Sequence, residues 1–487
     1  MRTRHIRIIQ ALFLTVLTTI SLYSSDGIDL NCYSIVVGKN ASFDGSVIVA
    51  HNEDDYGDQL VNLYRVPAES QAFSAMVTFK NGGQIPQKPN TLGFVWIQLP
   101  GMDVSDACFN EKGVSVFSDG CPSREKNPEL TDGGIVYWIR RSIAESAQSA
   151  KEGVKIAGRL IDQFGYASSG RTYVIADKNE AWMLAAVNGK HWIAQRVPDD
   201  EVAVIPNYYT IGAINLADTM NFLGSDDIIE YAIEKGWYGP NENGEFNFAR
   251  AYTALTSINH PGNIHRMLRG LNLLSDKQYT LNDAFPFSFK PKHKIDFDDI
   301  KSVLRDHYVG CEFDKSDHYK LGNPHKLNEA TICSGSTQFS VIVHLRDKLP
   351  VNIGTVIWIA PFRPGVQAYT PWYLGIESIP KGYAYTNYNT AIAEQFNPPK
   401  SIFEKNGTHN YWKFVNKVEH VDQDFKSNYI KTQAEISELE KRINDEMSEF
   451  ENKILHIYKD NPERARKMLT DFSAKWAAEA LKLTEVK

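Results

Sequence analysis

The sequence predicts an α+β protein in which sheet layers are covered by helices. Three observations point there. Residues 33–51 read as strand, turn, strand around Asp44-Gly45. Residues 172–177, 180–187 and 191–197 form a three-strand meander joined at Lys178-Asn179 and Asn188-Gly189. Helical segments recur between strands, which argues for helix-covered sheets over an all-β sandwich.

The first hairpin rests on Asp-Gly between apolar runs, because a type I′ turn needs φ > 0 at both central positions. Pairing Phe43 with Ser46 sets Ile35 opposite Asp54 and Cys32 opposite Gly57. Asp54 then lies about 10 Å along the strand from Cys32, at ~3.3 Å per residue. Residues 91–99 and 114–117 read as strands, with Asn110-Glu111-Lys112-Gly113 as the turn before the second. Residues 134–164 read as two helices, the second opened by the capping box Ser149-Ala150-Lys151-Glu152 and closed by Gly165. A strand over 202–211 carries Asn207, and late strands fall at 338–345 and 354–359. Phe425, Tyr429, Ile436, Leu439, Ile443, Met447 and Phe450 recur mostly at steps of three and four, the stripe of a long amphipathic helix. Asp460-Asn461-Pro462 ends that helix and starts another running to about Leu481. The stripe is expected to pack on the main body, giving a body over 32–400 and a helical C-terminal extension over 401–487.

The chain has 487 residues, 43% hydrophobic and 23% charged, so a sizeable core is available. With 52 Lys+Arg against 59 Asp+Glu the net charge is −7, and no long basic run offers a phosphate-tracking surface. Nucleic acid is therefore not an expected partner. Arg2, Arg4 and Arg7 precede an apolar stretch over residues 8–23 that is shorter and more polar than a membrane span of ~20 residues. We expect residues 1–27 to be a secretory signal cut near Ser25-Asp26-Gly27, residues 28–31 a short propeptide, and the mature protein to be exported, periplasmic or secreted, without a membrane span. An uncleaved anchor and an acylated Cys32 are the alternatives; Asn31 and Asp29 depart from the pattern that lipid attachment requires. The five cysteines, Cys32, Cys108, Cys121, Cys311 and Cys333, show no CxxC spacing, so a zinc site is not expected. Four of them are buried singles or two disulfides, and Cys32 is the odd thiol.

The position of Cys32 carries the chemistry. A Cys at a mature N-terminus supplies a nucleophile and, in its own α-amine of pKa ~7.7–8, a base. The amine must be freed by cutting Asn31-Cys32, which the Cys32 thiol can do by attacking the Asn31 carbonyl.

Residues 32–46 (CYSIVVGKNASFDGS) followed by His51-Asn52-Glu53-Asp54 resemble the opening of the bacterial dipeptidase family related to secernins, N-terminal-nucleophile cysteine hydrolases. Further stations follow in the family's order: Asn110-Glu111-Lys112-Gly113-Val114, residues 177–182 (DKNEAW), His191-Trp192-Ile193-Ala194, Val204-Ile205-Pro206-Asn207, Arg305-Asp306-His307-Tyr308 and Ile357-Trp358-Ile359-Ala360. The resemblance implies a four-layer αββα sandwich and a dipeptidase that uses neither metal nor cofactor. It assigns Cys32 as nucleophile, Asp54 as the acid that orients nucleophile and amine, and Asn207 as an oxyanion-hole donor. His51 is a departure, standing where many members carry Arg, so a fixed cation becomes a group largely neutral at pH 7 unless its surroundings raise its pKa. The second oxyanion donor stays open between Ser118 and Asp119. His307 reads as part of a structural polar cluster. A small peptide is the expected substrate, and a homo-oligomer is compatible with the sequence. Two rivals stand beside the dipeptidase: a hydrolase of non-peptide amides with the same nucleophile, and a non-catalytic envelope binding protein.

Overall fold

The computed structural model describes residues 32–55, 59–72, 74–239, 245–405 and 408–485. The expected signal and propeptide lie outside the described residues, as does Gly57. In chain order the main strands are β1 (Tyr33–Val37), β2 (Val47–Asp54), β3 (Asn62–Val66), β4 (Phe94–Gln98), β5 (Ala107–Asn110), β6 (Ser115–Gly120), β7 (Arg171–Ala176), β8 (Ala181–Ala186), β9 (Trp192–Arg196), β10 (Val202–Ile205), β11 (Phe222–Gly224), β12 (Thr337–Leu345), β13 (Thr355–Pro361) and β14 (Thr370–Tyr373). The helices that matter here are α1 (Tyr137–Ser146), α2 (Ala150–Phe164), α3 (Pro261–Leu274), α4 (Phe297–Leu304), α5 (Tyr411–Val421), α6 (Phe425–Asp460) and α7 (Pro462–Lys482).

The strands form two antiparallel sheets. One has six strands in the order β10-β1-β2-β12-β13-β14, the other eight in the order β11-β9-β8-β7-β6-β5-β4-β3. Side chains alternate across a strand, so each strand of the second sheet serves two cores. Phe117, Val174, Ala176, Met183 and Ala185 face the first sheet. Val116, Tyr173, Ile175, Trp182 and Leu184 face Ile139, Ile143, Val154 and Ile161 of α1 and α2. On the far side of the first sheet lie α3, α4, α6 and α7, whose Leu271, Ile300, Ile436, Ile443 and Leu469 are buried there. The result is the four-layer αββα sandwich. Close approach of α3 to β1 depends on Gly270, where a Cβ would sit 1.8 Å from the Tyr33 hydroxyl.

The hairpin register differs from the sequence expectation. Tyr33 pairs with Asn52 and Ser34 with His51, so β1 meets β2 four residues earlier than a tight Asp44-Gly45 turn dictates. The connection is wider because residues 38–46 have other partners. Gly38 and Asn40 N–H groups donate to the Glu201 and Asp199 carbonyls. The Asp44 carboxylate accepts from Ser46 N–H at 3.1 Å and contacts His344 Nε2 at 2.8 Å. The strand expected over 202–211 stops at Ile205, since Pro206 has no N–H for a ladder. Asn207 therefore sits just past a strand end. Ser149 caps α2 by accepting from Glu152 N–H, Glu152 reaches back to Gln148 N–H, and Gly165 closes the helix at φ 79°.

Candidate active site

The true register builds the site. Extending it by one pair brings Cys32 level with Glu53, and because Ser34 lies opposite His51, all four side chains fall on the face of the first sheet that meets the second. Cys32 Sγ lies 3.5 Å from Glu53 Oε1 and 3.5 Å from the Asp54 carbonyl oxygen. Glu53 Oε2 is 3.0 Å from His51 Nε2. On the other side of the ring, His51 Nδ1 meets Ser34 Oγ at 2.8 Å, and Ser34 donates to Asp119 Oδ2 at 2.6 Å. Phe117 stacks on the imidazole at 4.9 Å. None of Cys32, Ser34, His51, Glu53 and Asp119 is more than 2% exposed.

Burial opposes charge on His51, but the Asp119 and Glu53 carboxylates outweigh it and raise its pKa to about 9. The imidazole is thus a cation at neutral pH, and both of its nitrogens are engaged inside the protein. It does not reach a substrate carboxylate. Burial, with Glu53, Asp119 and Asp54 adding to it, pushes the Cys32 thiol well above its ordinary range. Burial also raises the Glu53 carboxyl, against the pull of His51.

Asp54 ends β2 on the opposite face. Burial raises its carboxyl to about 7, although Ser334, Arg266, Thr337 and Ser336 work against that. Oδ1 accepts from the Ser334 hydroxyl, from Thr337 Oγ1 at 3.0 Å and from Ser336 Oγ at 3.1 Å. Oδ2 is buried with no hydrogen-bond partner among the described residues.

Asn207 joins the cluster through Arg266 of α3. Arg266 Nη1 donates to the Cys32 carbonyl at 2.8 Å, and Nη2 donates to Asn207 Oδ1 at 2.9 Å. Arg266 is a pure donor, so it fixes which end of the Asn207 amide is oxygen. The Asn207 NH₂ places one hydrogen on the Gly120 carbonyl at 2.9 Å, which leaves one to give. Cys32, Asp54, Asn207 and His51 thus meet in one cluster. Sequence reasoning missed Glu53, Arg266 and the counter-ion role of Asp119. The two-residue step from His51 was a signal for Glu53; Arg266 sits in a helix with nothing local to mark it. Asp119 accepts hydrogen bonds here and is no side-chain oxyanion donor, while the Ser118 hydroxyl is held by Arg140 at 2.8 Å.

All five cysteines are free thiols, and all but Cys311 are buried. His307, His325 and Cys333 place possible metal-ligand atoms within 4.8 Å of one another. Hydrogen bonds already account for the histidines. Arg363 Nη1 lies 3.3 Å from His325 Nδ1, which fixes that nitrogen as an acceptor. The proton is then on His325 Nε2, facing His307 Nε2 at 3.1 Å, while His307 Nδ1 meets the Tyr319 hydroxyl at 3.1 Å.

A helix-covered double sheet with a buried thiol at the head of a strand defines a class of amide-bond hydrolases, and the comparisons narrow it. The model of peptidase family C69 matches residues 31–424, and the chain belongs to that family. It is similar to a probable dipeptidase of Latilactobacillus sakei, 29% identical over 385 residues, 74% of this chain and 77% of that one. A probable dipeptidase of Salmonella dublin is 30% identical over 366 residues, 72% of this chain and 82% of that one. A dipeptidase of Bifidobacterium longum is 27% identical over 399 residues, 70% of this chain and 72% of that one. Among solved structures, a penicillin V acylase from Agrobacterium tumefaciens aligns at 14% identity and TM-score 0.31, over 68% of this chain and 82% of that one. Its family makes the protein a hydrolase of the peptidase and amide-hydrolase kind. Among the described residues no helix is long and apolar enough to cross a membrane.

Proposed function

We propose that this peptidase hydrolyses dipeptides or short peptides with Cys32 as N-terminal nucleophile, after export and removal of the segment ending at Asn31. The observation that carries the proposal is Arg266, which grips the Cys32 carbonyl and the Asn207 side chain together and so couples the nucleophile to an oxyanion donor. In the processed protein the α-amine takes the thiol proton as Sγ attacks the scissile carbonyl, then returns it to the leaving amine. The remaining Asn207 N–H is the donor for the oxyanion, an interaction commonly worth ~2.7–4 kcal/mol. Asp54 Oδ2, which has no hydrogen-bond partner among the described residues, supports a role for that carboxylate in receiving and orienting the freed amine. His51, held between Glu53 and Asp119, keeps a positive charge within the cluster beside the thiol.

Function is tested with a panel of dipeptides set against N-acyl amino acids, with Cys32→Ala as control. Dipeptides should turn over and Cys32→Ala should abolish it. Turnover of N-acyl amino acids alone would point to an acylase, and turnover that survives Cys32→Ala would remove Cys32 from the chemistry.

A further inference from the structure

The unprocessed chain has a difficulty that the mature enzyme does not. Before the Asn31-Cys32 bond is cut, the nitrogen of Cys32 is an amide, which has no basic lone pair to take the thiol proton. Another base must serve that one turnover. Among the described residues two oxygens contact Cys32 Sγ, and one of them is the Asp54 backbone carbonyl, which cannot hold a proton at ordinary pH. The other is Glu53 Oε1. Asp54 gives Oδ1 to three hydroxyls, and its carboxylate lies on the face of β2 opposite Cys32 Sγ, which meets only the Asp54 backbone oxygen; His51 directs Nε2 at Glu53 rather than at sulfur.

We propose that Glu53 is the general base for self-cleavage at Cys32, a role separate from that of the α-amine in the mature enzyme. It rests on the N-terminal-nucleophile function proposed above. The contact follows from strand register, since the alternation that pairs Ser34 with His51 also brings Cys32 to Glu53. Glu53 is oriented by its other oxygen. His51 occupies Oε2 at 3.0 Å and is itself anchored by Ser34 and Asp119, which leaves Oε1 to the thiol. Burial makes the carboxylate a stronger base than it is in water.

The step balances without any added reagent except water. Glu53 Oε1 accepts the S–H proton while sulfur forms a bond to the carbonyl carbon of Asn31, and the π pair moves to oxygen. On collapse the C–N bond to Cys32 breaks and Glu53 returns its proton to that nitrogen, giving a free amine and a thioester. Water then adds its hydroxyl to the acyl carbon and its proton to sulfur, which releases the leader as a carboxylic acid and regenerates the thiol.

The full-length chain, its Glu53→Gln variant and its Glu53→Ala variant are followed by intact mass after synthesis. Glu53→Gln keeps the shape but cannot take a proton, and its cleavage at Cys32 should slow by about 100-fold or more. In Glu53→Ala, added formate should restore cleavage in proportion to its concentration, a response that a packing role does not produce. To separate this from misfolding, residues 1–31 of Glu53→Gln are replaced by a leader domain that its own protease removes at Cys32. The released chain should match released wild type in melting temperature and circular dichroism, so that its failure to cut itself is not misfolding. Cleavage of Glu53→Gln at the wild-type rate overturns the assignment, as does a folded Glu53→Ala that ignores formate. If instead the wild-type chain is active with its N-terminus upstream of Cys32, the N-terminal-nucleophile function itself fails, an outcome distinct from failure of Glu53 alone.

Discussion

His51 shows how a residue's chemistry depends on neighbours that are distant in sequence. Its ring lies between two carboxylates and a serine, and the buried cation it becomes is part of what holds the two sheets together at the site. A histidine whose pKa is raised in the folded state adds stability that is full below the unfolded value and is lost as pH rises through the folded one. The window here runs from about 6.5 to about 9. The unfolding free energy of the wild type should fall across that window by an amount on the order of 3 kcal/mol, and its denaturant midpoint with it. His51→Gln should be less stable at pH 6 and should lack this fall; a wild-type midpoint that stays level from pH 6.5 to 9 would refute the buried cation. The sequence displays the imidazole and its neighbour Glu53, but Asp119 and Ser34 arrive from other strands, so the charge could not be read from the motif. Cys32, Asp54 and Asn207 could be singled out as candidates because the stations that carry them are short and contiguous.

Among the elements, the long helix α6 works as a brace. Its Glu440 meets Lys301 of α4 at 3.0 Å and Arg305, just past α4, at 2.6 Å, and it accepts from the Tyr369 N–H at 2.9 Å. The residues after Arg305 continue the clamp: Asp306 pairs with Arg269 at 2.7 Å and accepts from the Tyr308 N–H at 2.8 Å. Arg305-Asp306-His307-Tyr308 therefore serves as a fastening that ties α3, α4 and α6 together across the outer face of the first sheet. Glu440→Gln leaves the buried Lys301 and the partly buried Arg305 without their carboxylate and should cost about 3 kcal/mol, read by urea denaturation at pH 7. A loss under about 1 kcal/mol, the range of an exposed pair, would show that the brace carries no weight. Although burial works against it, Arg305 and Lys301 hold the Glu440 carboxyl below its ordinary range. Its contribution is thus present above the unfolded value and lost on acidification through the lower folded one. Element existence was readable from periodicity in the meander, α2, α6 and α7. The β1–β2 register was not, because Asp44 is used by His344 and Ser46 instead of closing a two-residue turn, and no local signal reports that competition.

On the scale of the whole molecule, the site lies in the seam between the sheets, and the outer helical layer reaches it through Arg266 of α3. That arrangement explains why the sequence motifs are scattered along the chain while the cluster is compact: the head of β1 and β2 supply the thiol and its carboxylates, β6 the Asp119 counter-ion, the turn after β10 the Asn207 amide, and the start of β12 with the residues before it the hydroxyls on Asp54. That helices cover the sheets was legible from the alternation of strands and helices, and the four-layer order only from the family resemblance, whereas the helix that enters the site was not, since its Arg266 is defined only by what it meets across the fold. The proposed chemistry depends most on Cys32 becoming the first residue. The direct measurement is the intact mass and N-terminal sequence of the purified protein after expression from the full-length chain in an exporting host. We predict a chain that begins at Cys32 with an unmodified amine; an active protein that begins upstream with Cys32 internal, or that carries lipid on Cys32, would contradict it.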